Sequence, residues 1–251
     1  MSEAWIIDAA RTPRGVGKQG KGALWEIHPQ KLLSTVLSAL AERNSLATEE
    51  IDDVIISCSS QFKKQGACIG RMAALDAGYS NKASGVTLDR FCGGGISAVN
   101  MAAASIMSGM EDLIVAGGVE MMSYTSAEGS PNPLDAGNLD LRNAHPQTNV
   151  GIAADIIATE EGFSRTELDA FSAESQRRAG EALASGAFSK SLIPVYRPDG
   201  TLALDTEEFP RPQTTAEQLA NLNPVFGNFM DLPFFDSGLT FREMVAKKWP
   251  D

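Results

Sequence analysis

Cysteine and histidine are scarce in this chain: three of the first and two of the second in 251 residues. Cys58, Cys68 and Cys92 are odd in number and nowhere spaced as C-x-x-C, which argues against a disulfide framework and a cysteine-based metal site. Sparse free thiols suit a reducing compartment, so a cytoplasmic location is expected. Basic charge is the next shortage. Lys and Arg number 21 against 32 Asp and Glu, a formal net charge of −11. That excess repels nucleic acid and anionic membrane surfaces, so neither is expected as a partner; an anionic small ligand, which responds to local charge, is still allowed. The N-terminus lacks the charged, apolar, small-residue order of a secretory signal, and no window reads as long enough to span a membrane. No internal repeat is visible.

What the chain does have is an alternation of apolar runs. Apolar residues make up 43%, enough for a sizeable core in one large domain or two small ones. Residues 4–9, AWIIDA, read as a buried strand, and 11–27 as a Gly- and Lys-rich loop. Residues 29–43 carry Leu32, Leu33, Val36, Leu37 and Leu40 at helical spacing, with Pro29 suited to a first turn. Strands are expected at 53–57, 85–88 and 112–116, and helices at 67–77 and 92–109. This order predicts an α/β fold, a βαβαβαβ core around a mostly parallel sheet covered on both faces. After Gly118 the pattern changes: 119–150, with Pro131, Pro133 and Pro146, reads as loop. Residues 164–185 read as a helix opened by a Ser164–Glu167 capping box, and 191–226 as irregular with a turn at 198–200. The expected division is a βα core over 1–118, an inserted α-rich loop domain over 119–226, and a tail over 227–251. In the tail, LTFREMVAKKW suits a short amphipathic helix, and Phe234, Phe235, Phe241 and Trp249 are apolar enough to need a covering neighbour from outside the chain.

Cys92 stands in DRFCGGGISAV at 89–99. A lone free cysteine reads first as a small buried hydrophobe. Three features favour a nucleophile. Cys92 follows a strand and opens a helix, where free N–H groups and the helix dipole stabilise a thiolate. Gly93, Gly94 and Gly95 let backbone approach a ligand closely. The helix behind it is apolar on nearly every face, which predicts a buried, rigid mount at the carboxyl ends of parallel strands, where ligands bind in such sheets. A cysteine so placed would form a covalent acyl thioester.

DRFCGGGISAV resembles the active-site cysteine segment of thiolases, the acyl-CoA C-acyltransferases. IIDAARTPRG at 6–15, GGVEMMS at 117–123, VGIAAD at 150–155 with SRTELDAFSAESQRRA after it, and EFPRPQTTAEQLANLNPVF at 208–226 are similar to thiolase segments, in thiolase order. The resemblance covers about 1–226 and implies that Cys92 takes the acyl group of an acyl-CoA or 3-ketoacyl-CoA. Coenzyme A acts there as substrate, with no bound metal or prosthetic group. It also implies that Arg211 and Phe226 contact the nucleotide part of CoA. Asn149 stands where many thiolases place a histidine near the pantetheine, and Val150 where many short-chain thiolases place a methionine. These departures, with Asp89 and Gly94 where an Asn and a Ser are common, leave the acyl-chain length open. The resemblance further implies a homodimer formed through this half. The second thiolase half is absent, and with it the G-H-P histidine that takes the nucleophile's proton and the C-x-G cysteine that moves the α-proton. His28 and His145 read as structural residues, and Cys58 and Cys68 as packing residues. The chain therefore reads as a first half, a fragment or one subunit of a split enzyme whose second half comes from a separate chain.

Other readings are weaker. GVGKQG at 15–20 fits G-x-G-x-x-G, yet no helix opens at Gly20, and GVGKQGKG lacks the hydroxyl residue that ends a phosphate loop; a flexible basic loop is the simpler reading. A non-catalytic acyl-CoA-binding or scaffold protein is favoured by the missing base and disfavoured by the retained Cys92 segment. A 3-ketoacyl synthase or hydroxymethylglutaryl-CoA synthase type is disfavoured by the long loop region and GGVEMMS.

Overall fold

The computed structural model describes residues 3–128 and 134–250; Pro131 and Pro133 of the expected loop lie outside them. The chain divides into two compact units, one of residues 1–129 with 186–209 and the other of 130–185 with 210–251. The boundaries thus differ from those expected at 118 and 226.

In unit 1, α1 (Pro29–Arg43) begins at His28, whose Nδ1 accepts the Gln30 N–H at 3.3 Å. β1 (Asp53–Ser57), α2 (Ile69–Asp76), β2 (Val86–Leu88), α3 (Gly94–Ser108) and β3 (Ile114–Gly118) follow. The strands form a parallel sheet in the order β2-β1-β3, as the alternation predicts. Side chains of β1 alternate between two cores. Val54 and Ile56 join Leu37, Ile69 and Ala73 of α1 and α2, while Ile55 meets Ala98 and Ala102 of α3. Burying side chains of this kind contributes about 2 kcal/mol each.

Two expectations fail here. Residues 4–9 form no strand, and Trp5, Ile6 and Ile7 are 77%, 80% and 78% exposed. A strand persists only in a ladder, and no described backbone pairs with this segment. Nor is α3 buried on nearly every face. Gly94, Ser97, Ala98 and Ala102 are covered, whereas Ile96, Val99 and Met107, turned away from that face, are exposed. With its lead-in turn it also forms an 18-residue helix, Phe91–Ser108, of mean hydropathy 1.2. It is long and apolar enough to cross a membrane by length and composition alone, which corrects the reading that no window is; here its small-residue face is docked on the sheet.

After β3 comes α4 (Met122–Glu128), a helix within the expected loop. Residues 186–209 return to unit 1. Arg11 exchanges backbone hydrogen bonds with Ser191 and Ile193 (2.8 and 2.9 Å), and β4 (Val195–Tyr196) pairs antiparallel with β5 (Leu202–Leu204) across the expected turn, where Gly200 takes φ +82°. Two acids then pin the N-terminal loop. The Glu207 carboxylate, with 1% of its side chain exposed, accepts the Arg14 N–H at 2.9 Å and pairs with the Arg11 guanidinium at 2.5 Å. Glu208 accepts the N–H groups of Val16 and Ala23 at 2.8 and 3.1 Å. A Cβ at Gly22 would lie 2.2 Å from the Val16 carbonyl oxygen. The GVGKQG loop is therefore anchored by acids on both sides, at Arg14 and Val16 before it and at Ala23 after it.

Unit 2 holds α5 (Leu139–Ala144), α6 (Val150–Glu160), α7 (Arg165–Ala184), α8 (Ala216–Ala220) and α9 (Phe241–Ala246). Ser164 and Glu167 form the expected capping box on α7, and Thr240 and Glu243 form another on α9. The tail aromatics find cover within the chain: Phe234 and Phe241 are 2% and 6% exposed, packed with Ile152 of α6 and Met244. Phe235 and Trp249 stay partly exposed, at 45% and 37%. The tail is thus part of the unit 2 core.

Burial pushes the Glu207 carboxyl up, but the Arg14 N–H and the Arg11 guanidinium outweigh it and hold the group below its ordinary value of 4.5. A depressed carboxyl stabilises the fold above its unfolded value and loses that contribution as pH falls through the folded one. Glu207→Gln is expected to lower the unfolding free energy by about 2 kcal/mol at neutral pH and to flatten the loss of stability in acid, read from urea unfolding at a series of pH values.

Candidate active site at Cys92

The sheet's carboxyl ends carry the candidate site. β2 ends at Leu88, and the Asp89 carboxylate accepts the Phe91 N–H at 2.7 Å. Here the acid serves as the local acceptor that an Asn oxygen would also provide. Phe91 is held at φ +47°, a left-handed conformation that costs an aromatic residue roughly 1–3 kcal/mol. The strained residue opens a single 3₁₀ turn, Phe91–Gly93, with the exposed Cys92 at its centre. α3 starts directly after it. Its cap residue Gly93 has no side chain to engage the first free N–H groups, so the positive end of the helix lies open beside Cys92. The Ser97 hydroxyl donates to the Gly93 carbonyl at 3.2 Å, tying the turn to the first turn of α3.

The three glycines have different jobs. A Cβ on Gly94 would sit 1.7 Å from Ser57 Oγ and 2.8 Å from Ser57 Cβ. The end of β1 therefore fills the space a side chain at 94 would need, which gives a physical reason for glycine where a serine is common. A Cβ on Gly95 would meet nothing within 4 Å, so that residue leaves open room at the helix start.

Loops around the strand ends are joined by a buried polar hub that sequence reading missed. Gln65, fully buried, accepts the Met121 N–H at 2.6 Å and donates to the Ser60 carbonyl and to Glu120 at 3.1 and 2.8 Å. Glu120 also accepts the Ser59 N–H at 3.0 Å. The only signal available was the Glu inside GGVEMMS; nothing in the sequence marked Gln65.

The other thiols behave differently from one another. Cys58 is buried as expected, and burial, aided by the Glu120 charge, pushes its thiol up to about 11. Cys68 is exposed rather than packed, because it caps α2 in a left-handed conformation and its Sγ points to the Gly85 carbonyl at 3.5 Å. His28 caps α1 as expected; burial and the Lys64 charge hold its imidazole below its ordinary value, and the neutral ring is the form that can accept the cap bond. His145 is exposed and ends α5.

The expected CoA contacts all lie in unit 2. Asn149 is the N-cap of α6, its side chain accepting the Gly151 N–H at 2.8 Å, and Val150 beside it is 79% exposed. The Phe226 ring presses on the first turn of α6: a Cβ at Gly151 would lie 2.0 Å from it. Asn149, Val150 and Phe226 thus share one helix start. Below Phe226 a cavity of about 330 Å³ runs between α6 and the tail, lined by Ile152, Met230 and Trp249 among others. Arg211 is exposed, and its backbone N–H donates to Gln176 of α7 at 2.6 Å. Among the described residues, no group of three or more His, Cys, Asp or Glu is placed to hold a metal ion.

The family described as "Thiolase, N-terminal domain" matches residues 4–229. The chain belongs to the thiolase family. It is 36% identical over 230 residues to a 3-ketoacyl-CoA thiolase of Colwellia psychrerythraea, covering 90% of this chain and 58% of that one. It is 35% identical over 243 residues to a beta-ketoadipyl-CoA thiolase of Pseudomonas knackmussii, 90% of this chain and 60% of the other. An acetyl-CoA acetyltransferase of Thiocystis violacea is 37% identical over 235 residues, 88% and 59%. In structure the chain is similar to the dimeric peroxisomal thiolase of Saccharomyces cerevisiae, with a TM-score of 0.81 and 28% identity over 90% of this chain and 58% of that one. The layered α/β fold is that of a thiolase, and the chain spans about three fifths of the length of these relatives.

Gly94→Ser is expected to destabilise this thiolase half by roughly 2 kcal/mol and to change the rate of Cys92 alkylation, and Ser57→Gly in the same chain to restore most of both. Denaturant unfolding and timed labelling of the double-mutant cycle check it; independent, additive effects would contradict the packing account. In the native protein near neutral pH, iodoacetamide should label Cys68 and Cys92 and spare Cys58, which peptide mapping will read directly.

Proposed function

We propose that this chain is the acyl-accepting half of an acyl-CoA C-acyltransferase, with Cys92 as the nucleophile. The observation that carries the reading is the strained 91–93 turn, which holds an exposed thiol against the uncapped start of a 15-residue helix. The Cys92 thiolate adds to the carbonyl of an acyl-CoA or 3-ketoacyl-CoA; the tetrahedral adduct collapses, the CoA thiolate or the acetyl-CoA enolate leaves, and the acyl group stays on sulfur. Free CoA, or the enolate of acetyl-CoA, then takes it. Free N–H groups at the start of α3 favour the anionic adduct. Asn149, Val150, Arg211 and Phe226 are assigned to the CoA side, Phe226 and Arg211 to its nucleotide part; an arginine suits its phosphates or adenine face.

Full turnover needs a base for the thiol proton, and this chain supplies no unengaged histidine in the thiolase G-H-P setting. The complete enzyme is therefore a longer or two-chain form, a homodimer through this half in the cytoplasm, with CoA as substrate and no bound cofactor. The three free thiols support a reducing location. The second reading, a non-catalytic acyl-CoA-binding scaffold, is favoured by the missing base alone.

Incubating the purified chain with acetyl-CoA and longer acyl-CoAs is expected to add one acyl mass, lost in Cys92→Ala and removed by free CoA. Intact mass reads this. Acyl-CoA binding with no adduct, or an adduct unchanged in Cys92→Ala, leaves the scaffold reading standing.

A further inference from the structure

The turn that carries Cys92 is held at both ends by two consecutive residues, Ser57 and Cys58, where β1 stops. Before the turn, the Cys58 N–H donates to the carbonyl of Leu88, the last residue of β2, at 3.0 Å. After it, Ser57 Oγ fills the space beside Gly94, the first residue of α3. Within the turn the Gly93 N–H donates to the Arg90 carbonyl at 3.1 Å and the Phe91 N–H to Asp89 at 2.7 Å. Phe91 keeps its positive φ only while its surroundings over-determine it, and residues 57 and 58 belong to those surroundings.

The next two residues lead into the buried polar hub. The Ser59 N–H donates to Glu120 at 3.0 Å, and the Ser60 carbonyl accepts from Gln65 at 3.1 Å. Gln65 Nε2 also donates to the other Glu120 oxygen at 2.8 Å, and its Oε1 accepts the Met121 N–H at 2.6 Å. Both polar atoms of the Gln65 side chain are thus engaged, in a residue with no exposed surface. The Val119 N–H donates to the Ser57 carbonyl at 2.9 Å. The same two loops are tied again where Phe62 stacks on Tyr124 and the Lys64 N–H donates to the Tyr124 hydroxyl at 3.3 Å. In a buried network satisfied to this degree, any displacement leaves a donor or acceptor unpaired. Residues 57–60 are therefore a short, stiff bridge between the hub and the turn.

We propose that Gln65 and Glu120 are positioning residues for the Cys92 thiol. They fix residues 59 and 60, and through Ser57 and Cys58 they set the shape of the turn and the depth at which α3 sits. The consequence for acyl transfer rests on reading Cys92 as the acyl acceptor; the placement of the thiol is a property of the fold alone. Attack on a thioester carbonyl tolerates little misplacement of the nucleophile. Loosening the bridge therefore lowers the rate of transfer from bound acyl-CoA and leaves its binding, whose contacts are assigned to unit 2, nearly unchanged.

Gln65→Leu, Glu120→Ala and the conservative Glu120→Gln, which keeps an acceptor for one of the two Glu120 bonds, test this in the full chain. Amide exchange is expected to quicken at Phe91 and Gly93 by roughly tenfold or more in the first two variants and by less than about threefold in the third, with the amides of α1 unchanged. Acylation of Cys92 is timed by intact mass over a series of acetyl-CoA concentrations. At saturation it is expected to fall by roughly tenfold or more in Gln65→Leu and Glu120→Ala, with the half-saturating concentration within about twofold. Glu120 is exposed, so Glu120→Ala opens no cavity and decides the matter where Gln65→Leu does not fold. Exchange that quickens evenly over unit 1 overturns the proposal, because it reports only lost stability. So does unchanged exchange at Phe91 and Gly93, or a Glu120→Gln variant as damaged as Glu120→Ala. The enzymatic reading fails separately: an unaltered chain that takes no acyl group overturns that reading, while exchange still decides the positioning. Acylation of Glu120→Ala at the unaltered rate overturns the positioning alone.

Discussion

The close approach of α3 to the end of β1 is the constraint on which the candidate site depends. Gly94, Ala98 and Ala102 stand four residues apart, so they form one small-residue stripe along the helix, and it lies directly on β1 and β3. At Gly94 the gap closes until only a hydrogen fits beside the Ser57 hydroxyl. A helix seated that deeply cannot slide or rotate without a clash. The turn in front of it is therefore fixed as well, and Phe91 is held in a backbone state it would leave if free. The position of Cys92 thus follows from the packing of residues that do no chemistry.

Negative charge does comparable work in the loops. Glu207, Glu208 and Glu120 each accept backbone N–H groups from a distant segment, and Asp135 holds the buried Arg142 through two bonds of 2.6 and 2.7 Å. These carboxylates are spent inside the structure on amides and guanidinium groups. The net charge of −11 is accordingly a poor guide to what a given cleft attracts. An acidic chain can bind an anionic thioester wherever helix starts and an arginine set the local field.

Much of the βα core was legible because its period is written in apolar residues. The spans of α1, α3, β1, β2 and α7 follow from spacing and caps, and the Ser164–Glu167 box was readable from two letters. What failed depended on partners that a sequence does not display. AWIIDA has every mark of a buried strand and forms none, since a strand needs a neighbouring ladder. α3 reads as buried all round and is covered on one face. The tail aromatics looked unprovided for, yet Ile152 and Met244 cover Phe234 and Phe241. Cys68 reads as an interior helical residue, but its positive φ places it at the cap, and no pattern predicts that. At the site, Cys92 was legible as the residue before three glycines, whereas Ser57 and Gln65 act only through tertiary contact.

One of these failures concerns the helix that follows Cys92. α3 mounts Cys92 at its start and carries the uncovered apolar face along its length. The same chain lacks a free histidine in a setting suited to take the thiol proton. The acyl transfer proposed for Cys92 thus needs a proton acceptor beyond the groups described around the turn.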